Sequence, residues 1–260
     1  MGVRCIADSK ARTPIALLGN RQSPSSTFLG VIVPRHMNET QKTTGDRHTF
    51  RHTRYLLYTD QFRRCGKTGL FVTLSLMWNN PEYTFSAWLR LKAYAVSARP
   101  RWLMKPVSIL TGLMHRHYMV KFGIQIPPNT QIGPGFYIGH FGGIVVNANC
   151  IIGANCNISH NVTLGQANRG VRKGYPVIGN NVYIGPGVHI VGAVRIGDNV
   201  AVGAGCVVTR DVPDNAVIVG VPGRVISYEG VEGYICHTDY ASEENWSRQS
   251  KSNGCLPKLL

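Results

Sequence analysis

IGNNVY-IGPGVH-IVGAVR-IGDNVA-VGAGCV-VTRDV, the run from Ile178 to Val212, decides the fold. An aliphatic residue opens every block of six, and glycine often follows it. The fifth place is small and apolar: Val182, Val188, Val194, Val200, Cys206 and Val212. The same period runs upstream through Ile126, Ile132 and Ile138, then Val146, Ile152, Ile158 and Leu164, with Cys150, Cys156 and Val162 at fifth places. A period of six fits neither a helix nor an alternating strand. It marks a solenoid of short strands and turns stacked coil upon coil. The solenoid is expected to span residues 124–227.

Two interruptions break the count. Ile138 to Val146 is eight residues, so two extra residues bulge out at His140-Phe141-Gly142-Gly143. Leu164 to Ile178 is fourteen, which leaves a longer excursion within Gly165–Val177 carrying Arg169, Arg172 and Lys173. Solenoid insertions are displayed on the surface and commonly carry function. His140 is therefore a candidate, and the basic loop is expected to border the site that it serves.

Outward from the repeat, Tyr55–Trp78 and Glu82–Ala98 are rich in Leu, aromatics and Ala, with Asn79-Asn80-Pro81 breaking between them. Phe85, Trp88, Leu89 and Lys92 share a helical stripe, the lysine stem able to cover apolar surface. Leu103, Val107, Leu110 and Leu113/Met114 predict a further amphipathic helix, with His115, Arg116 and His117 near a C-terminus whose dipole suits cations. Residues 51–123 thus read as an α-helical region packed against the solenoid. Residues 1–50 mix Ser, Thr, Pro, Arg and His without periodicity and read as a poorly ordered extension, with Met37 a plausible alternative start. Residues 228–260 are polar and are expected to form a loosely held tail.

Composition bounds the rest. Of the net charge of +15, residues 1–125 carry +14 from 19 Lys/Arg against 5 Asp/Glu. Such asymmetry suits a solvated basic face, an acidic ligand or an anionic surface, so peripheral membrane contact stays open. No nucleic-acid motif accompanies the charge, which ranks nucleic acid last among partners. The seven cysteines show no metal spacing. Cys150, Cys156 and Cys206 fall where the repeat wants small core residues, so the expectation is a reducing, cytoplasmic compartment and no bound metal.

The repeat, with its ending Val219-Gly220-Val221-Pro222-Gly223-Arg224, resembles the hexapeptide-repeat acyltransferases. Ile138-Gly139-His140-Phe141-Gly142-Gly143-Ile144 followed by Asn161-Val162-Thr163-Leu164-Gly165 looks like their serine acetyltransferase branch, closest to the members associated with polysaccharide biosynthesis. The resemblance covers roughly residues 55–227. It implies a left-handed parallel β-helix, a homotrimer, and acetyl-CoA-dependent transfer of an acetyl group to an acceptor hydroxyl. It also implies that His140 is the general base, and that Pro186, Ala204, Thr209, Arg210 and Arg224 contact acetyl-CoA. An alcohol is a weak nucleophile at neutral pH, so transfer needs such a base. Counting hexads adds His160, one coil beyond His140, as a second candidate catalytic residue. The count also places Pro186 and Ala204 in the same column.

Departures from the branch matter for the acceptor. Glycine stands at Gly139 and glutamine at Gln125 where the family has Asp, Asn80 replaces another Asp, and Gly174-Tyr175 replaces an Arg-His pair. Gly139 and Tyr175 are thereby the candidate acceptor-binding positions. Without those carboxylates free serine loses charge-assisted contacts, and a sugar or glycan hydroxyl becomes the slightly favoured acceptor. The alternative function is a catalytically inactive hexapeptide-repeat scaffold that binds partners.

Overall fold

The computed structural model describes residues 49–252. The extension expected over residues 1–50 therefore lies outside the described residues, save Thr49 and Phe50.

Four helices precede the solenoid: α1 (Phe50–Cys65), α2 (Leu70–Asn79), α3 (Pro81–Ser97) and α4 (Arg101–Phe122). Their ends follow from local chemistry. Gly66 closes α1 in the left-handed region at φ 66, its N–H reaching the Phe62 carbonyl. Asn80 caps α3 by accepting from the Tyr83 N–H at 2.8 Å, with Pro81 in the first turn. The stretch expected as one helical segment over Tyr55–Trp78 is thus two helices, split at the glycines flanking Lys67-Thr68.

The repeat folds as a three-faced parallel β-helix. The first face stacks β1 (Ile124–Gln125), β4 (Ile144–Val146), β7 (Thr163–Gly165), β10 (His189–Val191) and β13 (Val207–Val208). The second stacks β2 (Gln131–Ile132), β5 (Ile151–Ile152), β8 (Val177–Ile178) and β11 (Arg195–Ile196). The third stacks β3 (Tyr137–Ile138), β6 (Asn157–Ile158), β9 (Tyr183–Ile184), β12 (Ala201–Val202) and β14 (Val217–Val219), and β15 (Arg224–Ser227) turns back antiparallel on β14. From Ile132 onward every opener pairs with the opener one coil away, as in Ile138 with Ile158 and Ile158 with Ile184.

The openers and fifth-place residues together form the core, and Cys150, Cys156 and Cys206 are free thiols within it. Burial pushes the Cys150 thiol up to about 11 and the Cys156 thiol up to about 12, so neither ionises at neutral pH. Cys236, by contrast, is disulfide-bonded, which a reducing compartment does not predict.

Two corner devices keep the coils in register. Asn155, Asn181, Asn199 and Asn215 turn the corner between the second and third faces at φ 51 to 63, a region that asparagine tolerates. Their side chains bond from coil to coil, Asn155 to Asn181 and Asn199 to Asn215, both at 3.0 Å. Gly153, just after an opener, has no room for a side chain, since a Cβ there would stand 2.4 Å from the Gly179 carbonyl oxygen.

The helices close the open first coil. Phe85 and Leu89 of α3 and Phe122 of α4 enter the solenoid core. The stripe of α4 that turns inward is Thr111, His115 and Phe122, not the expected Leu103, Val107, Leu110 and Leu113, which are exposed. His115 is likewise buried rather than a solvated cation at a helix end. Its Nε2–H donates to the Ile126 carbonyl at 3.1 Å.

Ionic groups tie the helical layer to the first coil. The Arg90 guanidinium forks onto Asp60 at 2.9 and 3.2 Å and donates to the Ile132 and Gly133 carbonyls at 2.7 Å each. Asp60 in turn accepts the Phe136 N–H at 2.8 Å.

The described part of the segment after residue 227 is not a loose tail. Tyr234 lies against Tyr183 at 4.7 Å between ring centroids, and the Tyr240 hydroxyl donates to Asn155. The helix α5 (Glu243–Ser252) then sets Trp246 against Tyr55 and Tyr58 of α1. Among the described residues no helix is long and apolar enough to cross a membrane.

Candidate active site

The first interruption of the repeat lies at the corner between the third and first faces. Its extra residues need glycine: Gly142 and Gly143 take φ 108 and 65, and a Cβ on Gly143 would sit 2.1 Å from the Asn161 amide oxygen. The bulge is held on both sides. Phe141 packs on Phe122 at 5.4 Å, and Phe122 stacks on Tyr118 at 5.3 Å. Behind it, Arg64 of α1 donates to the Ile138 carbonyl at 2.9 Å while stacking over the Tyr137 ring at 4.4 Å. His140 therefore projects into solvent from a turn whose backbone is fixed.

His160 lies one coil away, its ring centroid 5.9 Å from that of His140 with the planes at 69°. Backbone bonds continue the column, Gly187 N–H to the His160 carbonyl at 3.0 Å and Gly205 N–H to the Pro186 carbonyl at 2.8 Å. His140, His160, Pro186 and Ala204 thus occupy equivalent places in successive coils, as the opener register requires. Beyond the small residues at 186 and 204 the column ends at the β14–β15 hairpin, where Arg224 pairs with Val219 and is exposed.

The remaining candidates sit elsewhere. Tyr175 precedes β8 and Thr209-Arg210 follow β13, so all three belong to the corner between the first and second faces. The basic loop lies there too, folded by an antiparallel bridge between Ala167 and Gly174. Arg172 does not reach toward His140. Its Nη1 pairs with Asp211 at 2.9 Å and also donates to the Ala193 carbonyl at 3.3 Å. Within one chain the two interruptions of the repeat are separated by the whole width of the first face. Gly139 alone of the two acceptor-binding candidates adjoins His140.

Arg63 and Arg64 were not legible from their positions, because nothing in a helical sequence says that two adjacent arginines will be buried. Burial lowers both guanidinium pKa values, and carbonyl, amide and ring partners offset part of that cost. Among the described residues no cluster of His, Cys, Asp or Glu could hold a metal ion.

Residues 175–210 match the bacterial transferase hexapeptide family (six repeats). A serine acetyltransferase from Synechococcus elongatus is 43% identical over 131 residues, 50% of this chain and 54% of that protein.

The chain carries the transferase hexapeptide repeat and, over half its length, is similar to serine acetyltransferases.

Soybean serine acetyltransferase complexed with serine superposes on this hexapeptide-repeat chain with a TM-score of 0.54 at 29% identity, over 67% of this chain and 69% of that one. A serine acetyltransferase in complex with CoA gives 0.51 at 26%, over 66% and 68%. The fold is that of these structures, a left-handed parallel β-helix with an α-helical N-terminal region. The chain spans about half the length of the curated relatives it matches.

Proposed function

We propose that the protein is an acetyl-CoA-dependent O-acetyltransferase in which His140 is the general base. The observation that carries this reading is the column at one corner: an exposed imidazole on a rigid bulge, a second imidazole beside it, then small residues in the following coils. A neutral imidazole takes the proton of the acceptor hydroxyl as its oxygen attacks the thioester carbonyl. Backbone N–H groups stabilise the tetrahedral oxyanion, and the sulfur leaves as CoA thiolate to be protonated. His160 orients His140 or contacts the acceptor. Pro186 and Ala204 leave space for the pantetheine arm, and Thr209, Arg210 and Arg224 meet the nucleotide end, where guanidinium groups suit phosphates.

A homotrimer belongs to this reading. The His140 corner and the corner bearing Tyr175, Thr209 and Arg210 flank opposite edges of one face. Three copies around an axis set one corner of a chain against the other corner of its neighbour, which a single chain cannot do.

Serine is the first acceptor to test, because the relatives are serine acetyltransferases and one of the solved structures holds serine. The second reading, a sugar or polysaccharide-precursor hydroxyl, rests on the glycine and glutamine at Gly139 and Gln125, which offer an ammonium group no carboxylate. Tyr175, with its ring at a corner and partly packed on the core, is the acceptor contact this reading places across the trimer seam. A cytoplasmic location rests on the four free thiols among the described residues, with the disulfide at Cys236 against it.

Released CoA thiol, measured with serine and with a panel of sugars, decides the acceptor. Turnover with serine alone removes the glycan reading, and turnover with sugars alone removes serine. Titration calorimetry with acetyl-CoA separates the enzyme from an inactive scaffold, which has no reason to bind it.

A further inference from the structure

Helix α4 carries an apolar face that none of the described residues covers. Trp102, Ile109 and Leu113 lie along one line of the helix, and Leu103, Val107 and Leu110 lie beside them. Trp102 is 77% exposed and Leu113 63%, far from the scattered single hydrophobes of an ordinary surface. Between α3 and α4 this face opens into a groove of about 790 Å³, walled by Val96, Trp102, Ile109 and Leu113. Four cations also line it: Lys92 from α3, and Arg101, Lys105 and Arg116 from α4. Lys92 is fixed across the groove by bonds to the Ser108 carbonyl and hydroxyl at 2.8 and 3.0 Å.

The charge says what fits there. Glu82 is the only acidic residue between Gln61 and Gln125, and it is buried. The apolar face is therefore bordered by positive charge with no exposed carboxylate in the helical region to answer it. Two copies of this face brought together would oppose like charges at close range, which costs several kcal/mol. An occupant that is apolar in depth and anionic at its rim answers both features at once.

We propose that the α3–α4 face docks on an anionic bilayer surface, its apolar side chains entering the headgroup boundary and Lys92, Arg101, Lys105 and Arg116 engaging lipid phosphates. An apolar helix face bordered by Lys and Arg, with Trp at the boundary, is the pattern of helices that lie in the interface plane. The helices are long enough to lie on a bilayer and too polar to span one. The proposal stands apart from the transferase chemistry, since α4 meets the His140 bulge at its other end, where Phe122 packs on Phe141.

Co-sedimentation of the full chain with vesicles tests it, comparing phosphatidylcholine with phosphatidylcholine containing phosphatidylglycerol. The expected result is pelleting with the anionic vesicles only, diminishing as salt is raised. Substituting Arg101→Gln, Lys105→Gln and Arg116→Gln together is expected to weaken binding roughly a hundredfold, at about tenfold for each 1.4 kcal/mol and about 1 kcal/mol per basic residue at the surface. All three side chains are exposed, so melting temperature and molar mass by light scattering are expected to stay at the parent values. No pelleting with anionic vesicles at low salt overturns the proposal, as does undiminished pelleting of the triple variant. A change in copy number on adding Leu113→Asp to the parent overturns it in favour of a self-interface.

Discussion

His115 and Gly139 show how single residues set stability and specificity. Burial lowers the His115 pKa below the ordinary 6.5; Lys92 adds to the effect, while the bond to the Ile126 carbonyl opposes it. The unfolded chain therefore takes up the proton first as pH falls through 6.5, and stability drops as pH goes below that value. The expected outcome is a melting temperature that declines from pH 7 to pH 5, with a shallower decline in His115→Gln; equal slopes would remove His115 from the cause. Gly139 is a different case, because a glycine is not required there. A Cβ would meet nothing closer than 3.8 Å, and φ is not in the left-handed region. Gly139→Asp is thus expected to fold with an unchanged melting temperature. If the missing carboxylates govern the acceptor, it also raises kcat/KM for serine over a neutral sugar by about tenfold, the value of one charge-assisted contact.

Among the elements, the solenoid was readable because its period is enforced by burial. Each opener and fifth-place residue fills the same core, so thirteen aliphatic openers repeat one demand. The helices were less readable. In α4 the apolar residues at Leu103, Val107 and Leu110 predict an inward stripe, yet Thr111, His115 and Phe122 turn inward instead. What decides the rotation is the aromatic packing of Phe122 and the carbonyl waiting for His115, neither of which hydrophobic periodicity records. The C-terminal segment escaped notice for a related reason. Its anchors are isolated aromatics, Tyr234, Tyr240 and Trp246, in a polar sequence with no period. The site was legible up to its column, which the hexad count gives, and no further. Arg64 behind the bulge is visible only once α1 is packed.

The same packing makes the Asp60–Arg90 pair the joint between helices and solenoid. Its side chains are 2% and 6% exposed, and each also bonds the first coil. Removing one partner leaves a buried charge without its counter-ion, so Arg90→Met is expected to cost about 3–5 kcal/mol. The pair replaced together, Asp60→Leu with Arg90→Met, is expected to cost less than the two single changes combined. Urea denaturation checks both, and additive costs would show that the two charges act independently.

For the whole molecule, a closed core, a rigid corner and an uncovered helical face divide the labour. The solenoid fixes His140 and His160 5.9 Å apart on one corner and leaves the other half of the candidate site on the next. Activity on this account belongs to the assembled chain, and the chemistry to one imidazole. The direct measurement is CoA thiol release by the wild-type chain and by His140→Ala, with acetyl-CoA affinity measured calorimetrically on both. The account predicts a loss of about a hundredfold or more in kcat, the usual worth of a positioned general base, with affinity and melting temperature unchanged because His140 is exposed. Turnover by His140→Ala at the wild-type rate would contradict it.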